Sequence, residues 1–146
     1  MRAMPSVYMH RDSRSIADLN MLDDGRVLIS RINVPVRSRG RGLASKMLKE
    51  ILRDADAMGI TLILEPVPSG GLDYEQLVAW YQRHGFMWVD ICDGKQMHRI
   101  MERLSVGLIR YLPSDPDINI ERVGFANHIR GLSAFGPERT DKDRDV

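Results

Sequence analysis

Apolar and polar positions alternate along the first third of the chain and then change period. The stretches 15–22 (SIADLNML) and 26–34 (RVLISRINV) flank Asp23-Asp24-Gly25, and an Asp-Gly pair between two such runs predicts a β-hairpin. Within the second run, Val27, Ile29 and the stem of Arg31 face one way, while Leu28, Ser30, Ile32 and Val34 face the other. Pro35 has no N–H to give to a ladder, so regular pairing should fail there. After 37–42 (RSRGRG), Leu43, Met47, Leu48, Ile51, Leu52, Ala55 and Met58 recur every three or four positions, which predicts a helix. Lys46, Lys49, Glu50, Arg53 and Asp54 fall on its polar face, and Gly59 ends it.

The run 60–64 (ITLIL) is apolar throughout, as expected of a strand buried on both faces. Glu65-Pro66-Val67-Pro68 stops it, and Ser69-Gly70-Gly71 forms a loop. Asp73 followed by Gln76 has the spacing of a capping box and opens a second helix. Leu77, Val78, Trp80 and Tyr81 supply its packing side, and Gly85 closes it. Residues 86–91 (FMWVDI) and 95–101 read as a last pair of strands around Asp93-Gly94. Hairpin, helix, strand, helix, hairpin is an α/β order that builds a mixed, mostly antiparallel sheet with helices packed on it.

The core closes by about Leu104, giving a unit over 1–104. Residues 105–135 form an extension that packs on the core or on a partner, so a homodimer contact is one role open to it. Within it, 118–132 carries the apolar spacing of a short helix, weakened by Gly124 and Gly131. The segment 136–146 has alternating charge and no apolar anchor, the pattern of a disordered tail.

Composition narrows the class. The chain has 146 residues, 43% of them apolar and 28% charged, with a formal net charge of +1. That is enough chain for one self-sufficient core, and too little net charge for whole-surface attraction to nucleic acid or anionic membrane. The single cysteine, Cys92, has no partner for an intramolecular bridge, suits a reducing compartment, and is expected to pack as a small apolar residue. No apolar run reaches the ~20 residues of a membrane span. The first fifteen residues lack the apolar centre of a signal peptide, so the expected location is cytoplasmic.

The 37–42 loop admits three readings: a basic patch for phosphodiester backbones, a linker, or an anion cradle. A linker fits poorly between a strand and a strong helix. A cradle follows from strand, glycine-rich turn and helix, which aim free backbone amides at one spot beside a positive helix end. Neither a GxxxxGK[ST] nor a GxGxxG pattern is present.

The stretch 34–44 (VPVRSRGRGLA) resembles the acetyl-CoA loop of the GCN5-related N-acetyltransferase family: Arg or Gln, two residues, Gly, one residue, Gly or Ala, met by Arg37, Gly40 and Gly42. The stretch 77–86 (LVAWYQRHGF) resembles the family's late helix, with Ala79 next to Trp80 rather than two positions farther back. Met97-His98-Arg99 is similar to the closing strand. The resemblance covers roughly residues 15–104 and is strongest to compact members, including phage-encoded ones. It implies a GNAT-like acyl-CoA N-acyltransferase fold and acetyl-CoA as co-substrate, with no metal. It places the pyrophosphate on the amides near Arg39, Gly40, Arg41, Gly42, Leu43 and Ala44, with Arg39 and Arg41 adding charge. It also implies that the strand before the loop bulges and splays from the next strand, so that the pantetheine arm pairs with Ile32 and Val34.

By the same resemblance, Tyr81 is the tyrosine that hydrogen-bonds or protonates the leaving sulfur. Transfer also needs a neutral amine and a stabilised oxyanion. The glutamate that many members carry on the strand before the loop is missing from 26–34, which leaves Glu65 as the best carboxylate and Ser30 as a holder of water. Asp18 and His84 are weaker candidates, and Asp73 is better explained as a helix cap. The implied activity is N-acetylation of an amine on an undefined small molecule or protein. The alternatives are a catalytically silent regulatory or partner-binding protein of the same fold, and a nucleic-acid binder using Arg37, Arg39 and Arg41, which the near-neutral charge disfavours.

Overall fold

The computed structural model describes residues 3–68, 71–93, 96–105 and 119–129. The chain enters through β1 (Val7–His10) and turns into β2 (Ser15–Met21) and β3 (Val27–Asn33). A 3-10 turn (Val36–Ser38) leads into α1 (Leu43–Met58), followed by β4 (Leu62–Leu64) and α2 (Tyr74–Arg83). β5 (Met87–Asp93), β6 (Gln96–Arg103), β7 (Ile120–Val123) and β8 (Asn127–His128) complete the described elements. They form one eight-stranded sheet in the order β5-β6-β4-β3-β2-β1-β7, with β8 beside the end of β2. The β3–β4 and β2–β8 pairs are parallel and the other neighbours antiparallel, so the sheet is mixed and mostly antiparallel.

The Asp-Gly hairpin forms as its sequence requires. Asp24 accepts from the Arg26 backbone at 3.0 Å and from Arg26 Nε at 2.8 Å, and Gly25 takes a φ of 91°. The alternation along β3 does not hold. Asp18 pairs with Arg31 but Leu19 with Ile29, which leaves Ser30 as an extra residue on β3. This bulge shifts the phase by one. Ile32 therefore packs against the cluster that holds Val27 and Ile29, not on the face of Leu28.

Met47, Leu48, Ile51, Leu52 and Ala55 of α1 are buried against that same cluster. Two residues assigned to the outer face are buried as well: Glu50 is 3% and Asp54 8% exposed. The strands β1 and β7 cover that flank. Tyr8 donates to Asp54 at 2.7 Å, while Arg122 donates to Asp54 at 2.7 Å and to Glu50 at 2.8 Å. Arg53 Nη2 lies 2.9 Å from Asp54. Burial and the Asp54 charge push the Tyr8 phenol well above its usual range. Carboxylates placed this deep are tolerable only with such partners.

β4 is buried on both faces, shorter at its start than the 60–64 run. Leu62 and Leu64 join the main cluster, and Ile63 joins a second one with Leu22, Leu28 and Ile100. The capping box of α2 is present: Asp73 accepts from the Gln76 amide at 2.8 Å, and Gln76 accepts from the Asp73 amide at 3.0 Å. Arg103 of β6 grips Asp56 with two hydrogen bonds of 2.8 and 2.9 Å and donates to the His84 carbonyl at 3.2 Å. One guanidinium thus joins the ends of both helices to the sheet.

Three other expectations change. Cys92 is exposed, because strand alternation sets it with Asp90 rather than with Val89 and Ile91 of the second cluster. Residues 120–123 and 127–128 are strands, not part of a helix over 118–132, since β1 and β2 present edges for them. The N-terminal segment, given no element by the sequence, supplies β1 and buries Met4 and Tyr8. The Ser69-Gly70 loop, the Gly94 turn, most of 105–118 and the 136–146 tail lie outside the described residues. Among the described residues no helix is long and apolar enough to cross a membrane.

Candidate functional site

The parallel pair β3–β4 is short. Val27 faces Leu62 and Leu28 faces Ile63, and there the pairing ends. β3 continues to Asn33 past its bulge, while β4 stops at Leu64. The two strands part, and a cavity of about 480 Å³ opens between them. Ile29 to Ile32 and Val34 form one wall, Glu65 and Val67 the other. The glycine-rich loop and the start of α1 line it as well, together with Leu72, Leu77, Trp80 and Tyr81.

The loop owes its shape to two glycines and an arginine. Gly40 and Gly42 hold φ of 85° and 74°, a region that side chains disfavour. Arg39 Nε donates to the Val34 carbonyl at 2.9 Å and clips the loop to the end of β3. Gly42 is the N-cap of α1 and offers no side-chain acceptor, and the first turn contains no acidic residue. The opening amides of α1 are therefore uncapped by side chains, at the positive end of a 16-residue helix. A Cβ built on Gly40 or Gly42 would meet nothing within 4 Å, so space stands open above this backbone.

Most residues singled out in the sequence meet here. Ile32, Val34, Arg39, Gly40, Gly42, Leu43, Ala44, Glu65 and Tyr81 all line the cavity, whereas Arg37 and Arg41 do not and are exposed. Asp18, Asp73 and His84 also stand outside it: Asp18 pairs with Arg31 at 2.8 Å, Asp73 caps α2, and His84 Nδ1 lies 2.8 Å from the Trp80 carbonyl. Ser30 accepts from Asn20 at 2.7 Å. The sequence alone did not single out Ser38 and Ser45. A serine at the third helical position behind a glycine turn was the available signal for Ser45; Ser38 carried none.

Tyr81 is 8% exposed, with its ring centroid 4.9 Å from Trp80 and 5.5 Å from Phe86. Burial alone pushes its phenol up to about 12, so it is a proton donor at any neutral pH. Among the described residues, no group of three or more His, Cys, Asp or Glu is placed to hold a metal ion. The cavity thus offers an anionic group the α1 amides and an extended arm the free side of β3, with Tyr81 and Glu65 lining the same space.

No protein-family model and no curated protein matches the chain. Among solved structures, the crystal structure of the anti-CRISPR protein AcrVA5 is similar, at 20% identity over 60% of this chain and 87% of that one, with a TM-score of 0.48.

Proposed function

We propose that the chain is an acetyl-CoA-dependent N-acetyltransferase of the GCN5-related kind. The observation that carries this reading is one cavity shared by three features: the uncapped glycine-rich start of α1, the unpaired side of β3 beyond its bulge, and Tyr81. Acetyl-CoA supplies a pyrophosphate, an extended amide arm and an activated acetyl group. The amides around Gly42, Leu43 and Ala44 suit the first, because a ligand anion would satisfy donors that no side chain caps. The backbone of Ile32 and Val34 suits the second, by adding a strand where β4 no longer pairs with β3.

Tyr81 is protonated throughout the neutral range and gives its proton, or a hydrogen bond, to the leaving sulfur. Glu65, which follows β4 and lines the same cavity, takes a proton from the acceptor amine directly or through water. A second reading, a catalytically silent protein of this fold that binds a partner, draws on β3 itself: Val27–Asn33 contains no carboxylate.

Thermal melting with and without millimolar acetyl-CoA, and thiol release across a panel of small amines, peptide N-termini and protein lysines, test both. The enzyme reading expects a raised melting temperature and acceptor-dependent thiol release. Stabilisation without release on any acceptor supports the silent reading. No stabilisation refutes the enzyme reading.

A further inference from the structure

Trp80 and Ser45 stand 35 positions apart in sequence and meet beside the cavity, where the indole Nε1–H donates to Ser45 Oγ at 2.8 Å. An indole only donates, while a serine hydroxyl carries one hydrogen and two lone pairs. Trp80 therefore fills an acceptor position of Ser45 and leaves its hydrogen for some other oxygen. Ser45 lines the cavity from the first turn of α1 and donates to no group among the described residues. The indole is itself held: its ring lies 4.9 Å from Tyr81 and 5.2 Å from His84, whose Nδ1 reaches the Trp80 carbonyl at 2.8 Å.

A second observation is independent of Trp80. Ser38 is 6% exposed and lines the same cavity; its amide donates to the Pro35 carbonyl at 2.8 Å, while its hydroxyl has no hydrogen-bond partner among the described residues. Its oxygen is not sealed among the buried unsatisfied atoms, so the hydroxyl opens on the cavity and is free to donate to an acceptor held there. Two hydroxyl donors and the uncapped amides of α1 then face one space that no acidic side chain of the first turn enters.

We propose that Trp80 is a positioning residue: it turns the Ser45 hydroxyl toward a phosphate-type oxygen of the ligand and ties that end of α1 to the helix carrying Tyr81. This rests on the acetyl-CoA reading above and assigns the pyrophosphate end to a hydroxyl that the indole orients.

The test compares acetyl-CoA with S-acetylpantetheine, the same thioester without the pyrophosphate, as ligands for the unaltered chain, Ser45→Ala, Ser45→Thr, Trp80→Phe and the double variant. Ser45→Ala and Trp80→Phe should each weaken acetyl-CoA binding about tenfold, the size expected for a hydrogen bond to a charged group. The double variant should lose little more than either alone. Ser45→Thr should retain affinity, and S-acetylpantetheine should bind all five proteins alike. Additive losses, equal losses for both ligands, or no loss would overturn the proposal. Alanine favours the helix, so Ser45→Ala and Ser45→Thr decide the matter even if Trp80→Phe melts early. If the unaltered chain binds neither thioester, the acetyl-CoA reading fails and this inference with it. If it binds both and the variants bind equally well, only this inference fails.

Discussion

Replacing Tyr81 by Phe separates packing from proton chemistry. The ring contacts at 4.9 Å to Trp80 and 5.5 Å to Phe86 survive the change, so stability at pH 8 should move by no more than about 1 kcal/mol. Alkaline pH behaves differently. The phenol titrates near its ordinary 10 in the unfolded chain and near 12 in the folded one, so between these values the unfolded chain loses a proton that the folded chain keeps. Stability from this group is whole below pH 10 and is lost as pH rises through 12. At pH 11 the two titrations differ by one factor of ten, or about 1.4 kcal/mol.

Urea unfolding followed by circular dichroism at pH 8 and pH 11 measures this. The parent chain should lose about 1.4 kcal/mol more than Tyr81→Phe between the two pH values, because the Tyr8 contribution is common to both and cancels. Equal losses would refute the buried, protonated Tyr81 on which the acid role depends. With a competent acceptor at pH 8, the same variant should turn over about 10²–10⁴-fold more slowly while keeping its affinity for acetyl-CoA.

Gly42→Ala places a side chain where φ is 74° and nothing stands within 4 Å, so its folding cost is backbone strain of about 1–2 kcal/mol. A Tm lower by about 3–6 °C, with a KM for acetyl-CoA raised about tenfold or more, is the expected pair of readings in melting and steady-state assays. Arg103→Met takes the two-pronged guanidinium away from the buried Asp56 carboxylate and should cost about 3–5 kcal/mol, a fall in Tm of about 10–15 °C. Replacing Asp56 by Leu in the same chain should restore most of that loss, which calorimetry on the single and double variants would show.

Local signals were readable in the sequence and distant ones were not. The Asp24-Gly25 turn, the Asp73–Gln76 cap and the Gly59 stop act within a few residues, and each stands where the sequence places it. The apolar spacing of α1 was readable too, but not the burial of Glu50 and Asp54, whose cover arrives from Tyr8 and Arg122 at opposite ends of the chain. The family resemblance implied a bulge in this strand, but an alternating run cannot reveal which of its members is surplus, so the alternation gave Ile32 the wrong face. At the site, Gly40, Gly42 and Tyr81 belong to recognisable patterns. Ser38 belongs to none and Ser45 carries only its place in the first turn, and only the folding of 3-10 turn, α1 and α2 around one space brings the two together.

The pairing of β1 with β7 has a consequence for how the molecule comes into being. Ser6 donates to the Val123 carbonyl across 117 positions, and that edge of the sheet is made from β1 near the start of the chain and β7 beyond residue 119. Contacts of that separation form late and slow a folding reaction. During synthesis the first strand must wait, with Tyr8 uncovered and Asp54 unneutralised by Arg122, until more than a hundred further residues have left the ribosome. A chain cut near residue 104 would stay in that waiting state, which makes the C-terminal strand a requirement for the finished sheet and not an appendage to it.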